Sequence, residues 1–268
     1  MAAPGTPSSA PSPGARRFRL YAGLAFSFAW VPVMYTAFTR DRGFSPDEYQ
    51  RLWAIYYLCM VLAELPWGWV ADRWGKRPLL VAGPLVLAAG SAVLGHATSF
   101  AVCLAAMAVT GAGHAMISGA DSAWLYDLVV AERRPQDALR EESAAHLWRL
   151  LGLSLADLLG GFAAHYGGTT AAFDLAVVLM LAAAGVATLL PRVSSPRAVG
   201  PRPRPWVGLG QLARLDRLWV VAWFVVVFVF VRLGFQLYQP TLLSTGFDDL
   251  RGHGGAVLRV GCVQFSQR

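Results

Sequence analysis

The sequence predicts an all-α polytopic membrane protein, and three observations carry this prediction. Of the 268 residues, 56% are hydrophobic and only 15% are charged, whereas a soluble domain carries about 25% charged residues. Apolar runs of about 20 residues, long enough to span a bilayer, recur along most of the chain. The basic residues behind the net charge of +7 stand in short clusters between these runs. Such clusters are typical of topology determinants and not of a nucleic-acid groove.

The first membrane span is predicted over residues 20–38. Residues 1–19 precede it and begin with a stretch rich in Pro, Ser, Ala and Gly, which predicts a disordered cytoplasmic tail. Arg16, Arg17 and Arg19 stand directly before the apolar run. A signal peptide has a similar pattern, but this run is long for one and further spans follow it. We therefore expect an uncleaved first helix.

Five further spans complete a predicted six-helix bundle over residues 20–190. Ser45 and the three residues that follow it form a helix start, with an N-cap, a proline at the first position and acids in the first turn. A charged segment over residues 127–142 separates the fourth and fifth spans. The predicted helices after the first cover residues 47–72, 78–95, 99–126, 143–165 and 170–190.

The distribution of basic residues predicts the orientation. If the N-terminus is cytoplasmic, nearly all Arg and Lys residues fall on the cytoplasmic side. The loops between the third and fourth spans and between the fifth and sixth contain no Arg or Lys. We therefore expect a multi-pass protein of the plasma membrane with its N-terminus in the cytoplasm. Five tryptophans near predicted helix ends are expected in an aromatic belt: Trp30, Trp53, Trp67, Trp69 and Trp74.

The last part of the chain differs from the rest. Residues 191–217 predict a basic cytoplasmic linker, and residues 218–243 predict a seventh transmembrane helix. Residues 244–268 contain no apolar run long enough to span a membrane. Our hypothesis is that the chain is truncated, or changes reading frame, shortly after Asp249. A naturally short polar tail is the alternative.

A dense charged turn separates the second and third spans. Gly68, Asp72, Arg73, Gly75, Lys76 and Arg77 follow the order G-x-x-x-D-R-x-G-K-R. A turn this tight favours a positive φ at Gly75. The segment resembles the loop signature between helices 2 and 3 of the major facilitator superfamily. This resemblance extends over about residues 20–243 and implies two six-helix bundles joined by a cytoplasmic linker.

The resemblance also implies a cytoplasmic charge network that latches the two bundles. Asp72 would be the acid of this latch, and Asp127, at the end of the fourth span, would join it. Arg73, Lys76 and Arg77 supply the positive charge. The alternative is that these charges only anchor the topology.

The fourth and second spans carry ionisable residues at membrane depth. His114 and Asp121 fall on one polar stripe of the fourth span. Such residues are costly in a membrane and usually face a cavity, so Asp121 is a candidate site for a proton or a cationic substrate. A structural hydrogen bond is the alternative. Glu64 precedes Pro66, which is expected to bend the helix. Glu64 either titrates as a proton site or pairs with a basic residue such as Arg149.

The fifth span carries small residues at helical spacing: Gly152, Ala156, Gly160 and Gly161. This pattern resembles, in degenerate form, the antiporter signature of the superfamily. Close helix packing is the interpretation we favour. Asp157 is less easily explained by packing and joins the candidates for the substrate or proton site. Arg232 in the seventh span is expected to pair with Asp121, Asp157 or an anionic substrate, unless it reaches the outer interface.

The function implied by the resemblance is secondary transport of a small molecule by alternating access, with proton-coupled efflux as the hypothesis within that class. Met107 stands where the family's helix-4 motif carries an arginine, which weakens the usual antiporter scheme. No nucleotide-binding or hydrolase motif suggests an enzyme. No cofactor or metal is expected, because the three cysteines are isolated. The expected partners are membrane lipid, a small-molecule substrate and protons, and not nucleic acid.

Two alternatives remain at this point: a non-transporting membrane scaffold or sensor, and a truncated inactive gene product. Because a transporter of this family places its site between two bundles, we expect that the 268-residue chain alone does not transport.

Overall fold

The computed structural model describes residues 11–193 and seven helical residues between 219 and 230. Residues 11–193 belong to one compact unit and the seven residues to another. Those seven lie within the predicted seventh span, and their side chains are exposed. The rest of that span, which includes Arg232, lies outside the described residues, as do residues 194–217 of the predicted linker and the predicted tail.

All regular elements over residues 11–193 are helical. Short 3-10 turns cover Val31–Val33 and Pro135–Asp137, and a π-helical turn covers Ala37–Asp41. The α-helices are α1 Pro13–Ala25, α2 Met34–Thr36, α3 Pro46–Trp74, α4 Lys76–His96, α5 Phe100–Ser118, α6 Ala120–Ala131, α7 Ala138–Gly167 and α8 Thr169–Thr188.

Five helical segments of the described chain are long and apolar enough to cross a membrane: Pro46–Trp74, Lys76–His96, Phe100–Ala131, Pro135–Gly167 and Thr169–Thr188. They coincide with the five predicted spans that follow the first. The predicted start of α3 is also correct. Ser45 Oγ accepts a hydrogen bond from the Glu48 N–H at 3.2 Å, and a Glu48 carboxylate oxygen accepts one from the Ser45 N–H at 2.8 Å. The prediction of an all-α polytopic membrane protein is confirmed.

The first predicted span is not one continuous helix. Helix α1 begins at Pro13, within the predicted tail, because Ser12 caps it and accepts a hydrogen bond from the Ala15 N–H at 3.1 Å. It ends at Ala25, and an irregular segment of residues 26–30 precedes the 3-10 turn. Pro32 lacks the N–H that a continuous helix would need there. Ser27, Phe28, Ala29 and Trp30 are buried, as irregular backbone at membrane depth must be.

The fourth predicted span is divided at Gly119, where α5 ends and α6 begins. Helix α6 continues past the predicted end to Ala131, and α7 begins at Ala138. The charged segment over residues 127–142 is therefore mostly helical. Its two halves are joined by a turn in which Arg133 has φ 57°.

The core is rich in aromatic and small side chains. The Trp30 ring stacks on Phe173 with centroids 5.6 Å apart, and its indole N–H donates to Ser91 Oγ at 3.0 Å. Trp30 is 1% exposed and Trp53 is 6% exposed, so placing these two residues in an aromatic belt was wrong. They point into the bundle because they pack against neighbouring helices, which spacing along the chain cannot show.

Candidate functional site

An ion pair joins α6 to α7 inside the membrane-capable part of the bundle. The Arg149 guanidinium, at Nη2, donates to Asp121 Oδ2 at 2.5 Å, and the Asp121 side chain is only 4% exposed. The other Asp121 oxygen, Oδ1, accepts a hydrogen bond from the Ser122 N–H at 2.6 Å. Both oxygens of this carboxylate therefore have donors. Breaking such a buried pair leaves an uncompensated charge.

This arrangement corrects one sequence-based alternative. Arg149 pairs with Asp121 and not with Glu64, because α7 packs against α1 and α8 whereas α3 packs against α5. The suggestion that Arg232 pairs with Asp121 concerns a residue outside the described chain. Within the described chain, Arg149 neutralises Asp121.

Aromatic and polar groups surround the pair. The Arg149 guanidinium lies 5.2 Å from the centroid of the Phe26 ring, within the range of a cation–π interaction. The Tyr21 hydroxyl is buried and forms no hydrogen bond within the described part of the chain. Next to Asp121 on α6, the Ser122 hydroxyl donates to Glu142 Oε1 at 2.7 Å. Both α1 and α7 therefore contribute to the environment of Asp121.

A second polar pair lies on the other side of Phe26. The Tyr56 hydroxyl of α3 and His114 Nδ1 of α5 are hydrogen-bond partners. The His114 ring lies 4.9 Å from the Phe26 centroid and 6.0 Å from the Phe28 centroid. The irregular segment after α1 thus contacts His114 directly. His114 lies on α5 and Asp121 on α6, on either side of Gly119, and their side-chain partners differ, Tyr56 for His114 and Arg149 for Asp121. A shared polar stripe remains a prediction.

Glu64 is exposed and lines a cavity of about 440 Å³ between α3 and the junction of α5 with α6. Helix α3 continues through Pro66 to Trp74. Trp67 and Ser118 share the wall of this cavity with Glu64. Asp157 is half-buried on α7. The predicted roles of Glu64 and Asp157 remain predictions.

The charged turn contributes to one end of the bundle. Lys76 Nζ lies 2.5 Å from Asp127 Oδ2, and Arg77 donates to the carbonyl oxygen of Thr188 at the end of α8. Gly75 has φ 90°, as expected for this turn. Gly68 and Asp72 are exposed, and Arg73 lies over the Trp69 ring at 5.4 Å. Lys76 and Asp127 are thus brought together, whereas Asp72 forms no ion pair with a described residue.

Sequence reasoning missed the acids that hold the basic residues at this end. Arg19 Nη2 lies 2.7 Å from Glu141 Oε2, and Arg134 contacts the same carboxylate at 3.6 Å. Arg134 also donates to Asp137 Oδ2 at 2.8 Å. Glu141 and Asp137 are each buried. The only sequence signal was the acidic content of the 127–142 segment, which did not identify a partner for Arg19.

At the other end of the bundle, Arg42 donates to the carbonyl oxygens of Leu94 and Gly95 at 2.6 and 2.7 Å. These carbonyls belong to the last turn of α4, where a cation is favourable. The guanidinium also lies 4.6 Å from the Phe38 centroid. A sequence reading that treated Arg42 only as a loop charge could not have found this role.

The small residues of α7 make close backbone contacts with the first span. A Cβ added to Gly152 would lie 1.8 Å from the Gly23 carbonyl oxygen, and one added to Gly160 would lie 1.8 Å from that of Ala29. Ala156 and Gly161 are buried on the same helix. This geometry supports the packing interpretation. Within the described residues, no group of three or more His, Cys, Asp or Glu side chains is placed to hold a metal ion.

The bundle consists of membrane-capable helices with buried ion pairs between them and charged turns at one end. These features define a polytopic membrane protein with a polar interior. Residues 19–264 match the model of the Major Facilitator Superfamily. The chain therefore belongs to the major facilitator superfamily, and the resemblance seen in the charged turn is confirmed.

Curated relatives are transport and drug-resistance proteins. The chain is 29% identical to the inner membrane transport protein YajR of Escherichia coli K12 over 188 residues, which is 66% of this chain and 38% of YajR. It is 31% identical over 133 residues to the multidrug resistance protein MdtH of Yersinia enterocolitica, which is 49% of this chain and 32% of MdtH. MdtH of Yersinia pestis matches to the same extent. The matched regions cover about a third of these relatives (38% and 32%).

Proposed function

We propose that this chain supplies the first helix bundle of a secondary transporter that moves a small molecule across the plasma membrane by alternating access. The observation that carries the proposal is the Asp121–Arg149 pair at 2.5 Å within membrane-capable helices. Ionisable residues in such a position are costly and typically serve a transport pathway. The His114–Tyr56 pair adds a second group that can exchange a proton.

The charged end of the bundle supports a gating role in this proposal. Lys76 and Asp127 form one side of a latch, and the exposed Asp72 is available to a second bundle. Rocking of one bundle against the other would then make and break ion pairs between the two bundles. With the basic residues at this end in the cytoplasm, the N-terminus is cytoplasmic as well.

Proton-coupled efflux is the form of transport that we propose. MdtH is named a multidrug resistance protein, which favours export over uptake. Asp121, Asp157, Glu64 and His114 are the candidate residues for proton or substrate binding. A proton that protonates Asp121 would weaken its bond to Arg149 and free the guanidinium. Such a change couples a charge movement to a rearrangement between α6 and α7.

The test is ethidium extrusion from efflux-deficient bacterial cells. The cells express a two-bundle version of the protein, in which this chain supplies the first bundle. We expect energised cells to extrude the dye and the Asp121→Asn variant to do so at least about tenfold more slowly. Each rate is normalised to folded protein, measured by size-exclusion chromatography of a fluorescent fusion. Asp121→Glu keeps the charge and should retain part of the activity.

The 268-residue chain expressed alone serves as a further comparison, and we expect no extrusion from it because its match covers only 38% of YajR and 32% of MdtH. Extrusion by Asp121→Asn at the wild-type rate would refute the role of Asp121. Extrusion that persists after the proton gradient is collapsed would refute proton coupling.

A further inference from the structure

The cavity beside Glu64 has the size and the lining of a small-molecule site. Its volume is about 440 Å³, within the range of about 300–1,000 Å³ typical of ligand pockets. Glu64, Gly68 and Ala71 line it from one face of α3, and Ala115, Ser118 and Gly119 line it from the α5–α6 junction. The space beside two of these residues is open, because a Cβ added to Gly68 or to Gly119 would meet nothing within 4 Å.

The position of Glu64 makes its charge costly. Glu64 and the last residue of α3, Trp74, are separated by about 15 Å of helix at 1.5 Å per residue. The hydrocarbon core of a bilayer is about 30 Å thick, so Glu64 lies far from the end of this membrane-capable helix. An acid at such a depth is expected to have a cationic partner or to be neutral.

Three buried acids of the bundle have their cation in the same chain. Asp121 lies 2.5 Å from Arg149, Asp127 lies 2.5 Å from Lys76, and Glu141 lies 2.7 Å from Arg19. Glu64 differs, because its carboxylate forms no ion pair or hydrogen bond with a residue that the structure describes. No Lys, Arg or His is among the described residues that line the cavity. A charged Glu64 therefore has no positive partner among residues 11–193 and leaves room for a cation from elsewhere.

The remaining wall selects among possible cations. Leu65, Leu79 and Met116 give it an apolar surface, and Trp67 adds an indole ring. A quaternary ammonium or alkylamine with an apolar body can place its charge against the carboxylate and the ring while the body fills the apolar part. A hydrated metal ion would find one carboxylate and one hydroxyl, which is too few oxygen ligands for a hard cation.

We infer that the Glu64 cavity binds an organic monocation, with Glu64 as the counter-ion and Trp67 as an aromatic contact. This site is separate from the Asp121–Arg149 pair, which is already neutralised. The inference extends the proposed transport function to a class of cargo. It concerns binding, however, and can be tested without transport.

The experiment is an isothermal titration calorimetry measurement, in which benzyltrimethylammonium is titrated into the purified full chain in detergent. Neopentylbenzene, the neutral compound of the same shape, is titrated in parallel. We expect the cation to bind and the neutral compound to bind at least about tenfold more weakly. Glu64→Gln should weaken cation binding at least tenfold, whereas Glu64→Asp should restore part of it.

Two further variants separate the charge of Glu64 from general effects. Asp47→Asn removes a negative charge from the exposed first turn of the same helix, and it should leave the dissociation constant within about twofold. Gly119→Leu adds apolar volume at the cavity wall without changing charge, and a Cβ at this position meets nothing within 4 Å. It should weaken binding at least tenfold in folded protein.

Equal affinity for the two compounds, or unchanged cation binding in Glu64→Gln, would overturn the inference. Absence of cation binding to the wild-type chain would do so as well. A two-bundle version that binds the cation through Glu64 but transports nothing would leave the inference standing and contradict the proposed function. Transport without Glu64-dependent binding of the cation would contradict the inference and leave the proposed function standing.

Discussion

The Asp121–Arg149 pair places two opposite charges in a largely buried position, where an unpaired charge is costly. The Asp121 side chain is 4% exposed and the Arg149 side chain is 22% exposed. The carboxylate therefore depends on its partner more than the guanidinium does, because Arg149 retains some access to other polar groups and contacts the Phe26 ring. Loss of either partner leaves the other charge without compensation.

We predict that Arg149→Met destabilises the chain by roughly 3–5 kcal/mol, the usual cost of an uncompensated buried charge. Asp121→Asn should cost less, because the arginine left behind is more exposed. The double variant removes both charges and should be more stable than Arg149→Met alone. The measurement is the thermal midpoint of a fluorescent fusion in detergent, followed by size-exclusion chromatography.

A matched comparison is Asp174, which pairs with His96 at 3.1 Å but is 56% exposed on its side chain. Asp174→Asn should change the thermal midpoint little, because surface ion pairs contribute at most about 1 kcal/mol. If the effects of Asp121→Asn and Arg149→Met simply added in the double variant, the two residues would not be energetically coupled.

At the scale of elements, the contact between the first span and α7 depends on backbone approach. Gly152 faces the backbone of Gly23 in α1, and Gly160 faces that of Ala29 in the irregular segment. The small residues thus serve a helix and a non-helical stretch alike. The helical and the irregular part of the first span both lie along α7. The regularly spaced small residues of α7 can therefore contact both parts.

We predict that Gly152→Ala destabilises the bundle by roughly 1–3 kcal/mol, the range for overpacking of a close contact. The added Cβ would lie 1.8 Å from a carbonyl oxygen, and only a shift of one helix can relieve this contact. The thermal midpoint of the purified chain provides the measurement.

Gly185 in α8 is the matched control, because a Cβ added there meets nothing within 4 Å. Gly185→Ala should be neutral or slightly stabilising, since alanine favours a helix over glycine. Equal midpoints for the two alanine variants would contradict the close approach of α1 and α7.

At the scale of the whole bundle, the charged residues collect at its two ends. Arg17 donates to the Leu189 carbonyl oxygen at 2.9 Å, and Arg77 donates to that of Thr188. The start of α1, the start of α4 and the end of α8 are therefore at the same end. Arg42 and the Asp41–Thr169 hydrogen bond of 2.6 Å lie where α4 ends and α8 begins.

We predict that the end with Arg17 and Arg77 faces the cytoplasm. Single cysteines replacing Trp74 or Gln136 should react with a membrane-impermeant maleimide only after the cells are opened. Cysteines replacing Thr98 or Tyr166 should react in intact cells. All four positions are exposed, and the native cysteines are replaced by serine in this background.

A permeable maleimide should label all four variants and provides the control for reactivity. Labelling of position 74 in intact cells, together with protection of position 98, would establish the opposite orientation.

The sequence by itself determined the fold class, five of the spans and the family. Lengths of apolar runs report the thickness of the bilayer, and the charged turn at residues 68–77 carries a local pattern. The start of α3 at Ser45 and the positive φ of Gly75 were also predictable, because caps and turns depend on a few adjacent residues.

Only the tertiary structure decided which charges meet and where helices break. Arg149 pairs with Asp121, Arg19 with Glu141 and Arg42 with the end of α4, and each pair joins residues that are far apart in sequence. The break after Ala25 depends on a buried environment for residues 26–30. Hydropathy predicts which segments can move from water into lipid. These contacts depend instead on which helix faces lie against each other. That arrangement is a property of the packed bundle.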